Sequence, residues 1–177
     1  MKLERETRET TITADVAVGS GAADVSTSVP FLDHMVTTLA RYSGLDITLQ
    51  AKGDLKHHIV EDVAITLGKA FAGVLPGDSA RFGNSAVVMD DALVQVVLDA
   101  GGRSYYEGPM PSVLYDHWMR SFASNSGLTL HILVIRGSDR HHIVEASFKA
   151  LGFALRQALR VDDIVRSSKG AVAVRVS

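Results

Sequence analysis

The 177-residue chain contains no cysteine. That excludes a disulfide framework and every thiolate metal site, so a bound metal would have to be held by nitrogen and oxygen, in practice by imidazole and carboxylate. No apolar run approaches the roughly 20 residues that a membrane span needs. The first residues (Lys2, Glu4, Arg5, Glu6) are charged where a secretory signal would be apolar. A cytoplasmic protein with no membrane partner is expected. Positive charge is not in excess either, with 18 Lys and Arg against 20 Asp and Glu. No basic run tracks a phosphate backbone, so nucleic acid is not an expected partner. Hydrophobic residues make up 46% of the chain, enough to build a core without staples. Small-molecule chemistry is the reading left standing.

What is present is an internal repeat. His57-His58-Ile59-Val60-Glu61 recurs letter for letter as His141-His142-Ile143-Val144-Glu145, an offset of 84. Ser43-Gly44-Leu45 recurs as Ser126-Gly127-Leu128 and Asp33-His34 as Asp116-His117, both at an offset of 83. Three blocks in register indicate duplication. Each half can therefore be read twice. Apolar residues at helical spacing (Leu32, Met35, Val36, Leu39, Ala40) predict a helix over about 31–42 that ends near Gly44. A strand follows at Leu45–Ala51, and a long helix runs from His57 to about Leu75, closed by Pro76 and Gly77. The second half repeats the order, with a helix near 113–125, a strand at Leu128–Ile135 and a helix from about Arg140 to Leu159. Strand-like segments precede each first helix: 3–18 in the first half, and Ala86–Met89, Ala92–Leu98 and Arg103–Glu107 in the second. The expected fold is α+β: two similar halves, 1–85 and 86–177, each a small mixed or antiparallel sheet with two helices on one face, packed as one unit.

The repeated motif points to metal. At about 100° per residue along a helix, His57 and Glu61 project from one face and can share an ion, whereas His58 points about 100° away and serves a different one. His141, Glu145 and His142 divide in the same way. Isolated histidines complete the spheres: His34 in the first helix and His131 in the strand Leu128–Ile135. Six of the seven histidines and two glutamates would then give two sites of three imidazoles and one carboxylate. His117 is expected to be a capping or surface residue. Adjacent histidines bring neither helix propensity nor core value, so their repetition with a glutamate favours ligation. Without sulfur, and with room for six-coordination, Mn²⁺ is favoured.

At this point the residues resemble the imidazoleglycerol-phosphate dehydratase family. Arg8-Glu9-Thr10-Thr11-Ile12, Phe31-Leu32-Asp33-His34-Met35, Gly53-Asp54-Leu55, the first histidine block through Val63, Arg81-Phe82-Gly83, Met89-Asp90, Gly102-Arg103, Thr129-Leu130-His131, His141 to Ala150 and Ser167-Ser168-Lys169-Gly170 run in family order along nearly the whole chain. The resemblance implies a fold of the ribosomal S5 domain 2-like type and dehydration of imidazole glycerol phosphate to imidazole acetol phosphate in histidine biosynthesis. It further implies two Mn²⁺ ions per active site and sites shared between subunits of a 24-subunit homo-oligomer. It places metal ligands on His34, His57, His58, Glu61, His131, His141, His142 and Glu145. Substrate-binding residues fall on Arg81, Arg103, Ser167, Ser168 and Lys169, where guanidinium and ammonium groups would neutralise a phosphate dianion, and on Glu9. The expected catalytic set is Glu9, His58, Glu61, His142 and Glu145.

The chemistry explains the metals. Removing a proton from an unactivated carbon beside the imidazole is difficult, and metals on both ring nitrogens would stabilise an imidazolate that expels the hydroxyl, leaving a diazafulvene-like species. Glu9, off the metals, would shuttle the proton. Departures are visible. Family members carry about three more residues between the Gly-Asp-Leu block and the first histidine doublet, where here only Lys56 intervenes, and the link from Pro76 to Arg81 and the segment around Pro109 to Pro111 are also short. The rival readings are a dinuclear metallohydrolase of a phosphate ester and a non-catalytic assembly protein cemented by metal.

Overall fold

The computed structural model describes residues 1–162. In chain order the elements are β1 (Lys2–Glu6), β2 (Thr10–Val18), β3 (Ala23–Ser26), α1 (Pro30–Ser43), β4 (Leu45–Gly53), α2 (Lys56–Val74), β5 (Phe82–Met89), β6 (Ala92–Asp99), β7 (Tyr105–Glu107), α3 (Val113–Ser126), β8 (Thr129–Arg136) and α4 (Arg140–Ala158). They form two four-stranded sheets, ordered β1-β2-β4-β3 and β5-β6-β8-β7. In each, the first three strands are antiparallel and the last pairs parallel to its neighbour. The two halves therefore share one topology, as the repeat predicts, with mixed sheets.

Local chemistry accounts for the elements. The apolar stripe of α1 (Leu32, Met35, Val36, Leu39, Ala40) is buried, and Pro30 opens the helix where no amide hydrogen is needed. Gly44 (φ 77°) and Gly127 (φ 70°) end α1 and α3 in the left-handed region, each donating its N–H back to the carbonyl of Ala40 or Ala123. Alternation along β2, β4, β6 and β8 turns Ile12, Ala14, Leu49, Val94, Val96, Leu130 and Ile132 inward. The helices meet between the sheets in one continuous core, in which Trp118 stacks on Phe122 (ring centroids 5.1 Å apart) and lies against Phe148.

The boundaries differ from expectation at the strands. The segment 3–18 is two strands broken at Thr7–Glu9, where Thr7 Oγ1 accepts the N–H groups of Glu9 and Thr10. β3 has four residues, too few for alternation to announce it, and rests on its pairing with β4. β5 starts at Phe82, four residues before Ala86, and β7 only at Tyr105. The outward faces of the sheets are unlike. The first exposes Thr11, Asp15, Thr48, Gln50 and Lys52, whereas the second exposes Val88, Val97, Leu133 and Ile135.

The two helix pairs α2–α3 and α1–α4 cross at equivalent glycines. A Cβ on Gly68 would stand 2.7 Å from the carbonyl oxygen of Phe122, and one on Gly152, its counterpart at offset 84, would stand 2.6 Å from Tyr42 Cβ. The missing side chain lets the backbones approach and brings the N-terminal turns of each pair together. Gly68→Ala is expected to lower stability by about 1–3 kcal/mol through overpacking. Gly77→Ala, whose Cβ would meet nothing within 4 Å, serves as the near-neutral control in the same urea titration.

Candidate active site

Those N-terminal turns carry the histidines, and each cluster is built from both halves. In one, His34 of α1 joins His141 and Glu145 of α4; in the other, His117 of α3 joins His57 and Glu61 of α2. Within each group, the candidate ligand atoms lie within 4.8 Å of one another. Glu145 Oε2 stands 3.3 Å from His34 Nε2 and 3.2 Å from His141 Nε2. Glu61 stands 3.5 Å from His57 Nε2 and 3.1 Å from His117 Nε2. Burial pushes the Glu145 carboxyl up, but Lys149, whose Nζ lies 2.8 Å away, and His34 outweigh it, so its pKa ends below the ordinary value. At offset 84 the first half has Ile65 in place of Lys149, so the clusters are related without being identical.

The middle histidine of each doublet turns elsewhere, as the helical spacing predicts. His58 Nδ1 lies 2.7 Å from Asp54 Oδ1, and His142 Nδ1 lies 2.8 Å from Asp91 Oδ1. Those hydrogen bonds raise both imidazole pKa values. A carboxylate on Nδ1 fixes the ring and leaves Nε2 for a second partner, which for His142 is Asp90 Oδ2 at 3.3 Å. The two doublet helices start differently. The start of α4 is capped by Asp139, which accepts from the N–H groups of His141 and His142, whereas α2 begins after Leu55 without a side-chain cap. Glu9, at the β1–β2 turn, brings Oε2 to 3.7 Å from His58 Nδ1, so it stands beside the first doublet and outside both clusters.

One expectation is corrected, and the placement of a second residue is defined. His117, read as a capping or surface residue, belongs to a cluster, and its Nε2 is buried without a hydrogen bond despite the nearby Glu61. His131, expected as a ligand in sites shared between subunits, lies in neither cluster of its own chain. It alternates with the inward Leu130 and Ile132 and so falls on the outer face of the second sheet, its ring 5.5 Å from that of Tyr105. Sequence reasoning had the signal for His117 in hand, because Asp116-His117 repeats Asp33-His34.

Arg81 and Arg103 sit at the other end of the fold. Arg81 donates its backbone N–H to the carbonyl of Ala158 in the last turn of α4, and Arg103 accepts from Thr129 Oγ1 at the start of β8. His141 and Ala158 are 17 residues apart on α4, roughly 25 Å at 1.5 Å per residue. Arg81 holds both carboxylate oxygens of Asp99 and keeps that acid below its ordinary pKa. Ser167, Ser168 and Lys169 lie outside the described residues.

The donor sets suit a divalent ion. Two ligands about 2.2 Å from one ion and at right angles stand about 3.1 Å apart, close to the imidazole–carboxylate separations of both clusters. The donors are nitrogen and oxygen only, the composition that hard and borderline metals take. The buried, unbonded Nε2 of His117 is the atom such an ion would satisfy.

Comparison with known proteins agrees with the fold and the motifs. The family model described as imidazoleglycerol-phosphate dehydratase matches residues 27–155. Proteins of that name from Clostridium botulinum and Desulforudis audaxviator are 41% and 42% identical to the chain; the alignments cover 97% of the chain in each case and 97% and 96% of the relatives. A crystal structure of the Pyrococcus furiosus dehydratase superposes with a TM-score of 0.89 at 38% identity, covering 96% of this chain and 100% of that one. The Staphylococcus aureus dehydratase does so with a TM-score of 0.79 at 30% identity, covering 92% and 100%. With motifs, topology and sequence agreeing over almost the whole length, the chain belongs to the imidazoleglycerol-phosphate dehydratase family and is an enzyme of the lyase class.

Proposed function

We propose that the chain converts imidazole glycerol phosphate to imidazole acetol phosphate in cytoplasmic histidine biosynthesis, using two divalent ions, Mn²⁺ by preference. The observation that carries this reading is the pair of clusters, each joining a His/Glu pair from one half to a single histidine from the other. When bound, the ions supply Lewis-acid stabilisation of the negative charge that develops on the imidazole ring as its neighbouring carbon loses a proton.

The protein's own groups do the rest. Glu9 is the proton shuttle: its carboxylate lies outside both clusters and beside the ring of His58, so it keeps a free oxygen for the substrate proton. Arg81 and Arg103 bind the phosphate, with Ser167, Ser168 and Lys169 assigned to it by the family motif. Because the arginines and the clusters lie a helix length apart in one chain, one substrate reaches both only if copies combine. The third imidazole of each metal set is then His58 or His142 of a neighbouring copy, since each turns away from its own cluster. The apolar outer face of the second sheet, with Val88, Leu133 and Ile135 at least 45% exposed, suits burial in a homo-oligomer, for which 24 copies is the family expectation.

Incubation with imidazole glycerol phosphate and Mn²⁺ is expected to give the keto product with no inorganic phosphate. Phosphate release would indicate a metallohydrolase, and no reaction at all would leave only a metal-cemented assembly.

A further inference from the structure

We propose that Asp62 is a positioning residue for Glu9, acting through a hydroxyl relay that only the first half of the chain possesses. The inference rests on the reading of Glu9 as the proton shuttle.

Asp62 directly follows Glu61 on α2 and is 6% exposed. It faces β1 and β2, where its two oxygens are used separately. Arg5 Nη2 donates to Oδ1 at 2.8 Å, and Thr10 Oγ1 donates to Oδ2 at 2.5 Å. A threonine hydroxyl has one proton, so the 3.2 Å contact between Thr7 and Thr10 hydroxyls has Thr7 as donor. Thr7 Oγ1 in turn accepts the N–H groups of Glu9 at 3.1 Å and Thr10 at 2.9 Å. The carbonyl of Glu9 accepts from the N–H of Asp54 at 3.1 Å, and the Asp54 carboxylate holds His58. Both peptide groups of Glu9 are thereby fixed relative to α2, one through Asp62, Thr10 and Thr7, the other through Asp54.

The repeat supplies an internal control. At offset 84 the position of Asp62 is Ala146, which is fully buried against the second sheet. The fold packs helix on sheet there without a carboxylate, so the architecture itself does not demand one. The pair of half-buried Arg5 with buried Asp62 contributes little net stability, and a carboxylate is a costly way to fill a core position. It is present in the half that carries Glu9.

The test is a double-mutant cycle in the metal-loaded enzyme, read as kcat and KM with metal content measured in each variant. Asp62→Asn is expected to lower kcat about 10–100-fold, with KM within about threefold and metal retained, the scale expected when a general acid/base group is displaced. In a Glu9→Gln background the same change is expected to alter kcat less than about twofold, because the group it positions is gone. Thr10→Val, which leaves the Asp62 charge in place, should reproduce the loss and Thr10→Ser should restore it. In metal-free protein the Glu9 amide should exchange with solvent faster in Thr10→Val than in Thr10→Ser. Wild-type turnover in Glu9→Gln alone would overturn the shuttle reading and the relay with it. Full-size loss on adding Asp62→Asn to Glu9→Gln, or metal loss in Asp62→Asn, would overturn the positioning role alone, since Asp62 would then act through His58 or Glu61.

Discussion

Replacing His117 by alanine is expected to lower kcat by about 10⁴-fold or more. The figure follows from the several kcal/mol that a metal contributes as a Lewis acid, at 1.36 kcal/mol per tenfold. His117→Ala removes one of the two imidazoles facing Glu61 and leaves His57 and Glu61 as an incomplete pair. Metal content measured by elemental analysis should fall by about one ion per chain. Full metal content in His117→Ala would remove the geometric basis of the α2–α3 cluster.

Removal of metal is the second large effect. Dialysis against a chelator should abolish turnover, and Mn²⁺ should restore it. Binding to the folded state alone stabilises by about 2.7 kcal/mol at a hundred times Kd, which for a chain of this length raises Tm by roughly 5–10 °C. If ligands from neighbouring copies complete each set, binding also cements the assembly, and light scattering of metal-free protein should report smaller particles. Turnover that survives complete chelation would sink the metal reading, and an unchanged particle size would sink the shared-ligand reading.

Helices were legible in the sequence because their stripes and their stops were both written there: Leu32 to Ala40 with Gly44, and the same again before Gly127. The division of labour within each doublet was also legible, since it depends only on helical geometry. The strands near the N-terminus were less so. β3 is held by pairing with β4, and no local pattern of four residues can state that. His117 is instructive because the sequence held the means to place it. Leu128, Leu130 and Ile132 are the inward set of a strand, so His131 points away from the clusters of its own chain. The repeat, followed strictly, places His117 where His34 has its counterpart. Which helix end the arginines occupy was not legible, because spacing along the chain does not reveal how far apart two turns stand after folding. The chemistry expected of Arg81 therefore needs a second copy in a way the motifs alone do not state.

The crossed composition of the clusters has a consequence for how the duplicated chain works as a molecule. Among the described residues, neither half alone holds a complete three-residue group, because each contributes a His/Glu pair to one and a lone histidine to the other. Two unlinked halves would have to find each other from dilute solution before either ion had its ligands. The covalent connection from α2 to β5 turns that encounter into an intramolecular one, with an effective concentration on the order of millimolar for a short link. Cutting the chain between Leu75 and Arg81 should therefore leave metal affinity dependent on protein concentration, a dependence the intact chain escapes for these three-residue groups.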